Sequence, residues 1–586
     1  MKKNVFSLFA FIIFACVHAQ TTQRIMINQL GYYSNAPKIA VVTGETKTTD
    51  FFITLPDSKD IVFKGKLSEQ KQSQNSSTVT RIADFSAFKR AGTYVIAVPN
   101  VGYSYAFIIG DHAQHNVAVA ALKGFYYQRI SMPLDAQFSG KWARPAGHAD
   151  TVVLVHASAA SEKRLGGTVI ASPGGWYDAG DYNKYIVNSG ISMGTLLSAY
   201  EDFSNYFDTL KTNIPEGGDQ VPDILNEIIY NLRWMLTMQD INDGGVYNKC
   251  TNAAFDGMVM PGVTKLPRYV VQKGTAATLD FAAVTAQSAR ILKKFSKQLP
   301  GLSDSCLKAS QYAWQWALKN PVLEYDQNAM NKMYQPKITT GGYGDKHFED
   351  EWYWAACELY ATTKDEQYYK IITERINDKM SLPSWGNVLM LGHYTLIRNE
   401  RHVSKHASEI KIIKDQLIDF ANIYLQHINH NAFATVMGQS NKDFIWGSNS
   451  VAANQGIVLL NAWFITKDKK YIDNALTNLD YIMGRNATGY CFVTGMGTKS
   501  TMHPHHRPSI ADGIGDPVPG LLAGGPNPGM QDKCHYDFTE PETAYSDTDC
   551  SYASNEIAIN WNAPLVYIAN AFEALQYGIK YSEKKQ

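Results

Sequence analysis

Two aspartates three residues apart, Asp178 and Asp181, stand in Gly174-Gly175-Trp176-Tyr177-Asp178-Ala179-Gly180-Asp181-Tyr182-Asn183. A glycine-rich turn that presents two carboxylates between aromatic side chains offers what a sugar ring and a water molecule need. Hydrolysis of a glycosidic bond takes one carboxyl group to protonate the leaving oxygen and another to activate water or attack directly, so a further acid must come from elsewhere. Tyr545-Ser546-Asp547 and the stretch from Tyr552 to Ala563 supply Asp547 and Glu556, just before and at the start of an apolar periodic segment. Between the clusters lies Pro504-His505-His506-Arg507-Pro508, whose imidazole and guanidinium groups suit sugar hydroxyls or a carboxylate. Each feature alone has an ordinary reading: a turn-capping Asp178, a first-turn helix acid at Glu556, a structural corner at His505 and Arg507. Only a fold that brings distant loops to one face can unite them.

The elements that would position these groups fall into two textures. From Arg24 to about Asp111 short alternating runs such as Lys38-Ile39-Ala40-Val41-Val42 and Thr93-Tyr94-Val95-Ile96-Ala97-Val98 are separated by turn residues, which predicts a small β-sandwich with no acid–aromatic constellation of its own. After His112 the period becomes helical. Twelve segments are expected, near 114–130, 189–205, 222–239, 275–296, 303–319, 348–363, 366–376, 384–398, 408–427, 449–466, 470–485 and 556–580. An even dozen suits a closed double ring of helical hairpins. The acid-bearing clusters occupy the gaps 140–188 and 486–555, far longer than ordinary connections and therefore expected to be functional.

The chain of 586 residues is 45% hydrophobic and 18% charged, enough apolar material for a large core and two domains. Lys+Arg and Asp+Glu both number 54, so no global field favours nucleic acid or an anionic membrane, and a neutral polymer is the better partner. Met1-Lys2-Lys3-Asn4, an apolar run from Val5 to Val17 and His18-Ala19-Gln20 read as an export signal cleaved after Ala19, too short to span a bilayer. Lipid attachment through Cys16 is the lesser alternative. A secreted or periplasmic enzyme follows. Of the six later cysteines no two form a CxxC pair, so zinc is disfavoured. In an oxidising compartment a Cys534–Cys550 bridge would staple the loop leading to Glu556, the alternative being buried thiols.

In their joint order these motifs, with Asn28-Gln29-Leu30-Gly31-Tyr32, Gly341-Gly342-Tyr343-Gly344-Asp345, Asp350-Glu351-Trp352-Tyr353-Trp354, Trp446-Gly447-Ser448-Asn449-Ser450 and Gly524-Gly525-Pro526-Asn527, resemble glycoside hydrolase family 9. This is the inverting cellulase family, and the likeness is to its subgroup with an N-terminal immunoglobulin-like domain. With the signal peptide read from the residues over 1–19, the resemblance implies an immunoglobulin-like β-sandwich over 20–111 and an all-α (α/α)6 barrel over 112–586. It implies a monomeric endo-β-1,4-glucanase acting on a β-glucan chain, with Asp181 as general base, Asp178 holding the water and Glu556 as general acid. Substrate contacts fall to His505, Arg507, Tyr552 and Trp176, with Asp547 as a supporting carboxylate. Xyloglucanase, mixed-linkage glucanase, exo-acting glucosidase or glucosaminidase, and a non-catalytic glycan binder are the alternatives. No cofactor is implied beyond a structural calcium at Asp350 and Glu351. A further aspartate of some members is Gly386 or Asn387 here, and the other reading of the pair is a helix cap. Glu556 must stay protonated: burial beside Tyr552 and Trp561 and the Asp547 charge would raise its pKa, a helix N-terminus would lower it.

Overall fold

The computed structural model describes residues 21–583, so the expected export signal and Cys16 lie outside the described residues. The N-terminal unit is two sheets face to face. One has the order β1 (Ile25–Met26), β2 (Ile39–Thr43), β6 (Val79–Asp84), β5 (Lys71–Gln72). The other has β4 (Ile61–Lys66), β3 (Asp50–Thr54), β7 (Gly92–Val98), β8 (Gly102–Tyr103), with β9 (Phe107–Ile109) pairing β7. Alternation along β2 explains how the unit docks. Ala40 and Val42 point into the sandwich core with Phe51, Tyr94 and Phe107, while Val41 points the other way, onto Ala432 and Phe433 of the helical unit.

The twelve expected helices form as two nested rings. The inner ring is α2 (Ile186–Phe207), α4 (Thr275–Leu292), α6 (Glu349–Thr363), α8 (Leu389–Arg398), α10 (Ser448–Thr466) and α12 (Ile559–Glu583). The outer ring is α1 (His115–Tyr127), α3 (Asp223–Thr237), α5 (Leu302–Lys319), α7 (Glu366–Arg375), α9 (Ala407–Ile423) and α11 (Lys469–Ile482). Each inner helix packs on one outer partner; α12, α2, α4, α6 and α8 touch in turn, α10 packs on α12, and α9 bridges α8 and α10. Patterning separates the rings. Every residue of α4 except Arg290 is buried, whereas α5 buries only a stripe led by Cys306, Ser310, Ala313, Trp314 and Ala317.

Three local expectations change. The segment near 384–398 becomes helical only at Leu389, because Ser384 and Asn387 exchange main-chain hydrogen bonds around a turn at Trp385-Gly386. Glu556 is not a helix acid: it has extended backbone, and α12 begins at Ile559. The 140–188 gap also supplies three strands of a five-stranded sheet, completed by two from the connection between α3 and α4, in the order β11 (Val169–Ile170), β10 (Val153–Val155), β14 (Arg268–Val270), β13 (Lys249–Asn252), β12 (Lys184–Tyr185); the strands are too short to show a period. Cys534 and Cys550 are bonded, and Cys250, Cys306, Cys357 and Cys491 are buried thiols.

The seam between the units is polar as well as apolar. Asn28 donates to the buried Asp480 carboxylate at 2.8 Å, and Tyr33 donates to buried Glu573 at 2.8 Å. The Gln29 side-chain oxygen accepts from the Thr498 and Lys499 amides, both at 2.8 Å. Removing the sandwich would uncover Phe433 and deprive Asp480 and Glu573 of donors, each a costly change. Deletion of residues 21–110 is therefore expected to leave the barrel insoluble or with a clearly lower melting temperature by calorimetry; an unchanged Tm would refute the supporting role.

Candidate active site

The Asp178–Asp181 turn and the 503–559 segment are clasped main chain to main chain. Ile559 donates to the Asp178 carbonyl at 2.9 Å, and Arg507 donates to the Gly180 carbonyl through its amide at 3.2 Å and its guanidinium at 2.8 Å. Gly180 is required by this approach, since a Cβ there would lie 2.1 Å from the His505 carbonyl oxygen. His505 in turn forms a parallel bridge with Glu556. Asp178, Asp181, His505, Arg507 and Glu556 are thereby gathered at one end of the helical rings.

Each carboxyl group has its own surroundings. Asp178 is buried and accepts from Asn188 of α2 at 2.6 Å and from the Tyr343 hydroxyl at 2.8 Å. Burial first, and then the Asp181 charge, push its pKa up to about 8 despite those two donors. Asp181 receives Asn183 Nδ2 and the Tyr185 hydroxyl, the latter at 3.2 Å, both on Oδ2. Its Oδ1 has no partner among the described residues and is free to take a water proton. Asn183 cannot turn its amide, because its oxygen is held by Thr251 and the Asn252 amide, both at 2.9 Å. Lys249, buried on β13 and drawn down to about 7 by burial, donates to Thr340 and Gly341 beside Tyr343.

Glu556 is partly buried. Burial, then the charges of Asp181 and Asp178, hold its carboxyl well above the ordinary range, against the Gly180 amide and Arg507. Asp547 does not contribute as expected. Its oxygens accept the amides of Met502 and His503, both at 2.9 Å, and Asn555 Nδ2 at 3.2 Å, so it holds the strand that carries His505. His505 Nδ1 lies 2.6 Å from the Asp549 carbonyl, which places the proton there and leaves Nε2 an acceptor. Burial lowers the His505 pKa, keeping the ring neutral. Arg507 is largely a brace: besides Gly180 it donates to the Asp256 carbonyl at 3.0 Å, leaving one guanidinium nitrogen unpaired among the described residues.

Trp176 is the clear correction. It is fully buried with its ring 4.6 Å from Phe125, because Gly175 at φ +85° turns the chain inward against Trp234. The aromatic surfaces that face solvent are elsewhere. Tyr552 lies between Trp446 (5.5 Å) and His505 (5.9 Å), and Trp385 stands edge-on to Tyr343 at 5.4 Å. Trp446 is 41% exposed and Trp385 36%, enough to offer a sugar face on either side of the acids. Asn188, Tyr185, Lys249 and Trp385 carry no pattern that singles them out in one sequence; Asn183, Tyr343 and Trp446 lay within motifs but without an assigned role.

Asp350 and Glu351 open α6. Asp350 does not cap its own helix but accepts the Val388 amide at 2.7 Å. Both oxygens of Glu351, both of Asp280 on α4, and Asn387 Oδ1 are buried without hydrogen-bond partners. Asp280 and Glu351 are pushed well above their ordinary pKa by burial and by neighbouring Asp350 and Asp345. No three His, Cys, Asp or Glu side chains close into a metal cage among the described residues.

Residues 115–569 match the model of glycosyl hydrolase family 9, and residues 20–103 match the cellulase N-terminal Ig-like domain. The chain is 46% identical over 559 residues to a xyloglucan-specific endo-β-1,4-glucanase of Bacteroides ovatus, covering 95% of each. It is 31% identical to endoglucanase D of Acetivibrio thermocellus, over 98% of this chain and 87% of that one. A solved Bacteroides ovatus family 9 structure superposes with a TM-score of 0.89 at 45% identity, over 94% of this chain and 99% of the other. A clasped pair of acid-bearing loops above a double helical ring, an immunoglobulin-like domain in front of it and these likenesses over the whole length agree: the chain belongs to glycosyl hydrolase family 9.

Proposed function

We propose that this chain is an exported, monomeric, endo-acting β-1,4-glucanase that cleaves with inversion and prefers xyloglucan. The observation that carries the reaction is the unequal treatment of neighbouring carboxyl groups: Glu556 held protonated, and Asp181 offering a free oxygen. Glu556 then serves as general acid and Asp181 as general base, with Asp178 steadying the attacking water. His505, the unpaired guanidinium nitrogen of Arg507 and the Tyr552 ring bind the sugar, and Asp547 supports them. An inverting site requires room for water between carboxyl groups roughly 6.5–9.5 Å apart, and a base and acid drawn from separate loops can satisfy that. The preference for xyloglucan rests on the 46% identity to a xyloglucan-specific enzyme over nearly the whole chain. Domain limits at 19/20 and 111/112 belong to the same reading.

Xyloglucan, barley β-glucan and carboxymethylcellulose, assayed side by side with product sizing, are expected to show fastest reducing-sugar release from xyloglucan and a broad early spread of oligosaccharides. Proton NMR should show the α-anomer first. Single sugars released from chain ends would point to exo action, no release to a binding protein, and an initial β-anomer to retention.

Glu556→Gln removes the proton donor but keeps its shape. Loss on glucan should be on the order of 10²–10⁴ and much smaller on an activated aryl glycoside, which leaves without protonation. Asp181→Asn should fail on both. A near-normal Asp181→Asn beside a dead Asp178→Asn would reverse the two aspartates.

Calcium at Asp350 and Glu351 is supported by the unpartnered buried oxygens of Glu351, Asp280 and Asn387 and by the neighbouring Asp345 charge, which are of the hard-oxygen type the ion takes, although no three of the acids close into a cage among the described residues. The ion would neutralise mutually repelling carboxylates and tie α4 to α6 and to the turn carrying Trp385; it would have no part in bond cleavage. A chelator should lower Tm, added calcium should restore it, and the shift should shrink in Asp280→Asn. No shift, with no metal by elemental analysis, would sink the assignment.

A further inference from the structure

The turn between β5 and β6 of the N-terminal domain reaches across to two loops of the barrel. Ser76 Oγ donates to Glu542, while the Ser77 amide and hydroxyl donate to Glu540 at 2.8 and 3.0 Å. Asn75 Nδ2 donates to the Gly438 carbonyl at 2.6 Å, on the loop that leads to Trp446. Neither loop is anchored by a long element. The first carries only the single turns Ile428–His430 and Asn441–Asp443, and the region around Glu540 and Glu542 has no helix or strand.

From Glu540 a short chain of contacts runs to the proposed acid. The Glu540 carbonyl accepts the Thr543 and Ala544 amides at 3.0 and 2.9 Å, forming a tight turn. Tyr545, the next residue, donates to Asn555 Oδ1 at 2.6 Å, and Asp547 accepts Asn555 Nδ2. Asn555 adjoins Glu556, and its carbonyl accepts the His505 amide at 3.0 Å. Where the turn meets the two loops the seam is not packed solid: a cavity of about 380 Å³ lies among Ser73, Gln74, Asn75, His430, Gln439 and Glu542. Apolar contacts hold the inner parts of both loops, Phe433, Val436 and Met437 in one and Ala544 and Tyr545 in the other, so beside that open space the directional hydrogen bonds set how the outer turns sit.

We infer that Ser76 and Ser77 of the immunoglobulin-like domain are positioning residues for catalysis, setting through Glu540, Glu542, Tyr545 and Asn555 the placement of Glu556. The inference rests on the proposed acid role of Glu556. It gives the N-terminal domain a duty beyond covering the barrel, and it gives that duty a signature. A misplaced acid slows only reactions whose leaving group needs a proton, whereas a loosened fold slows all reactions alike.

The test is the full chain carrying Ser76→Ala and Ser77→Ala together, assayed well below its Tm on a glucan oligosaccharide and on an activated aryl cellobioside. The expected result is a kcat loss of roughly ten- to a hundredfold on the oligosaccharide with little change in KM, and near-normal kcat on the aryl substrate. Ser76→Thr with Ser77→Thr, which restores both hydroxyls, should recover the oligosaccharide rate. Equal loss on both substrates, or a lower Tm with unchanged kcat, would overturn the inference. If the double variant does not fold, Ser77→Ala alone decides, since it keeps the Ser77 amide bond to Glu540 and should show the same substrate split at smaller size. Glu556→Gln in parallel separates the two failures: without a leaving-group split of its own the acid assignment is wrong, and with one the clamp stands or falls alone.

Discussion

The site depends on a clasp between two stretches of main chain that are remote in sequence. Ile559 on the Asp178 carbonyl and Arg507 on the Gly180 carbonyl hold the aspartate turn against the strand carrying His505 and Glu556. Side chains on opposed loops can keep fixed separations only if the loops themselves are fixed, and main-chain hydrogen bonds do this without depending on long flexible side chains. Gly180 makes the closeness possible. The Arg507 guanidinium finishes the clasp, which accounts for its burial better than sugar binding alone would.

Beneath the clasp, support comes in two grades. Asp178 is gripped by Asn188 from an inner helix and by Tyr343, whose loop is pinned by Lys249, so the aspartates stand on the rigid ring. Glu556 stands instead on loops, stapled by Cys534–Cys550 and reached from the N-terminal domain through Ser76 and Ser77. The proposed base is thus fixed by the barrel, and the proposed acid by structure added around it.

Much of the fold was legible because the helices advertise themselves in two ways. Outer helices such as α5 show a stripe, and inner ones such as α4 an almost unbroken apolar and small-residue run. The same contrast hid Asp280, a single acid in a run that reads as plain core until its two oxygens are found without partners. Trp176 was misread because an aromatic beside catalytic acids looks like a sugar platform, whereas a positive-φ glycine before it sends the ring inward. The extended backbone at Glu556 was illegible for another reason. The apolar period of α12 runs back smoothly through Ile557 and Ala558, and tertiary pairing stops the helix at Ile559: the bridges of Glu556 to His505 and of Ile557 to Ala523, the Gly524 amide on the Glu556 carbonyl and the Asp178–Ile559 bond.

Five buried or partly buried carboxyl groups share one electrostatic direction, opposite to that of the ion-paired Asp150 and Asp240, which are held down to about 2. Glu556 and Asp178 at the cleft, Asp280 and Glu351 between α4 and α6, and Asp480 at the seam, pushed up to about 6, all have folded pKa values above their unfolded ones. Each such group keeps its proton in the fold after the unfolded chain has lost it. Its contribution to stability is therefore complete below the unfolded value near 4 and declines as pH rises toward the folded value. For Asp480 that decline spans about 4 to 6, and for Asp178 it extends to about 8. The proposed acid role of Glu556 requires its proton, so on that reading this cost is inseparable from the chemistry. At Asp280 and Glu351 it serves no proposed chemistry, and there a bound divalent cation would displace the protons and balance the carboxylate charges in their place.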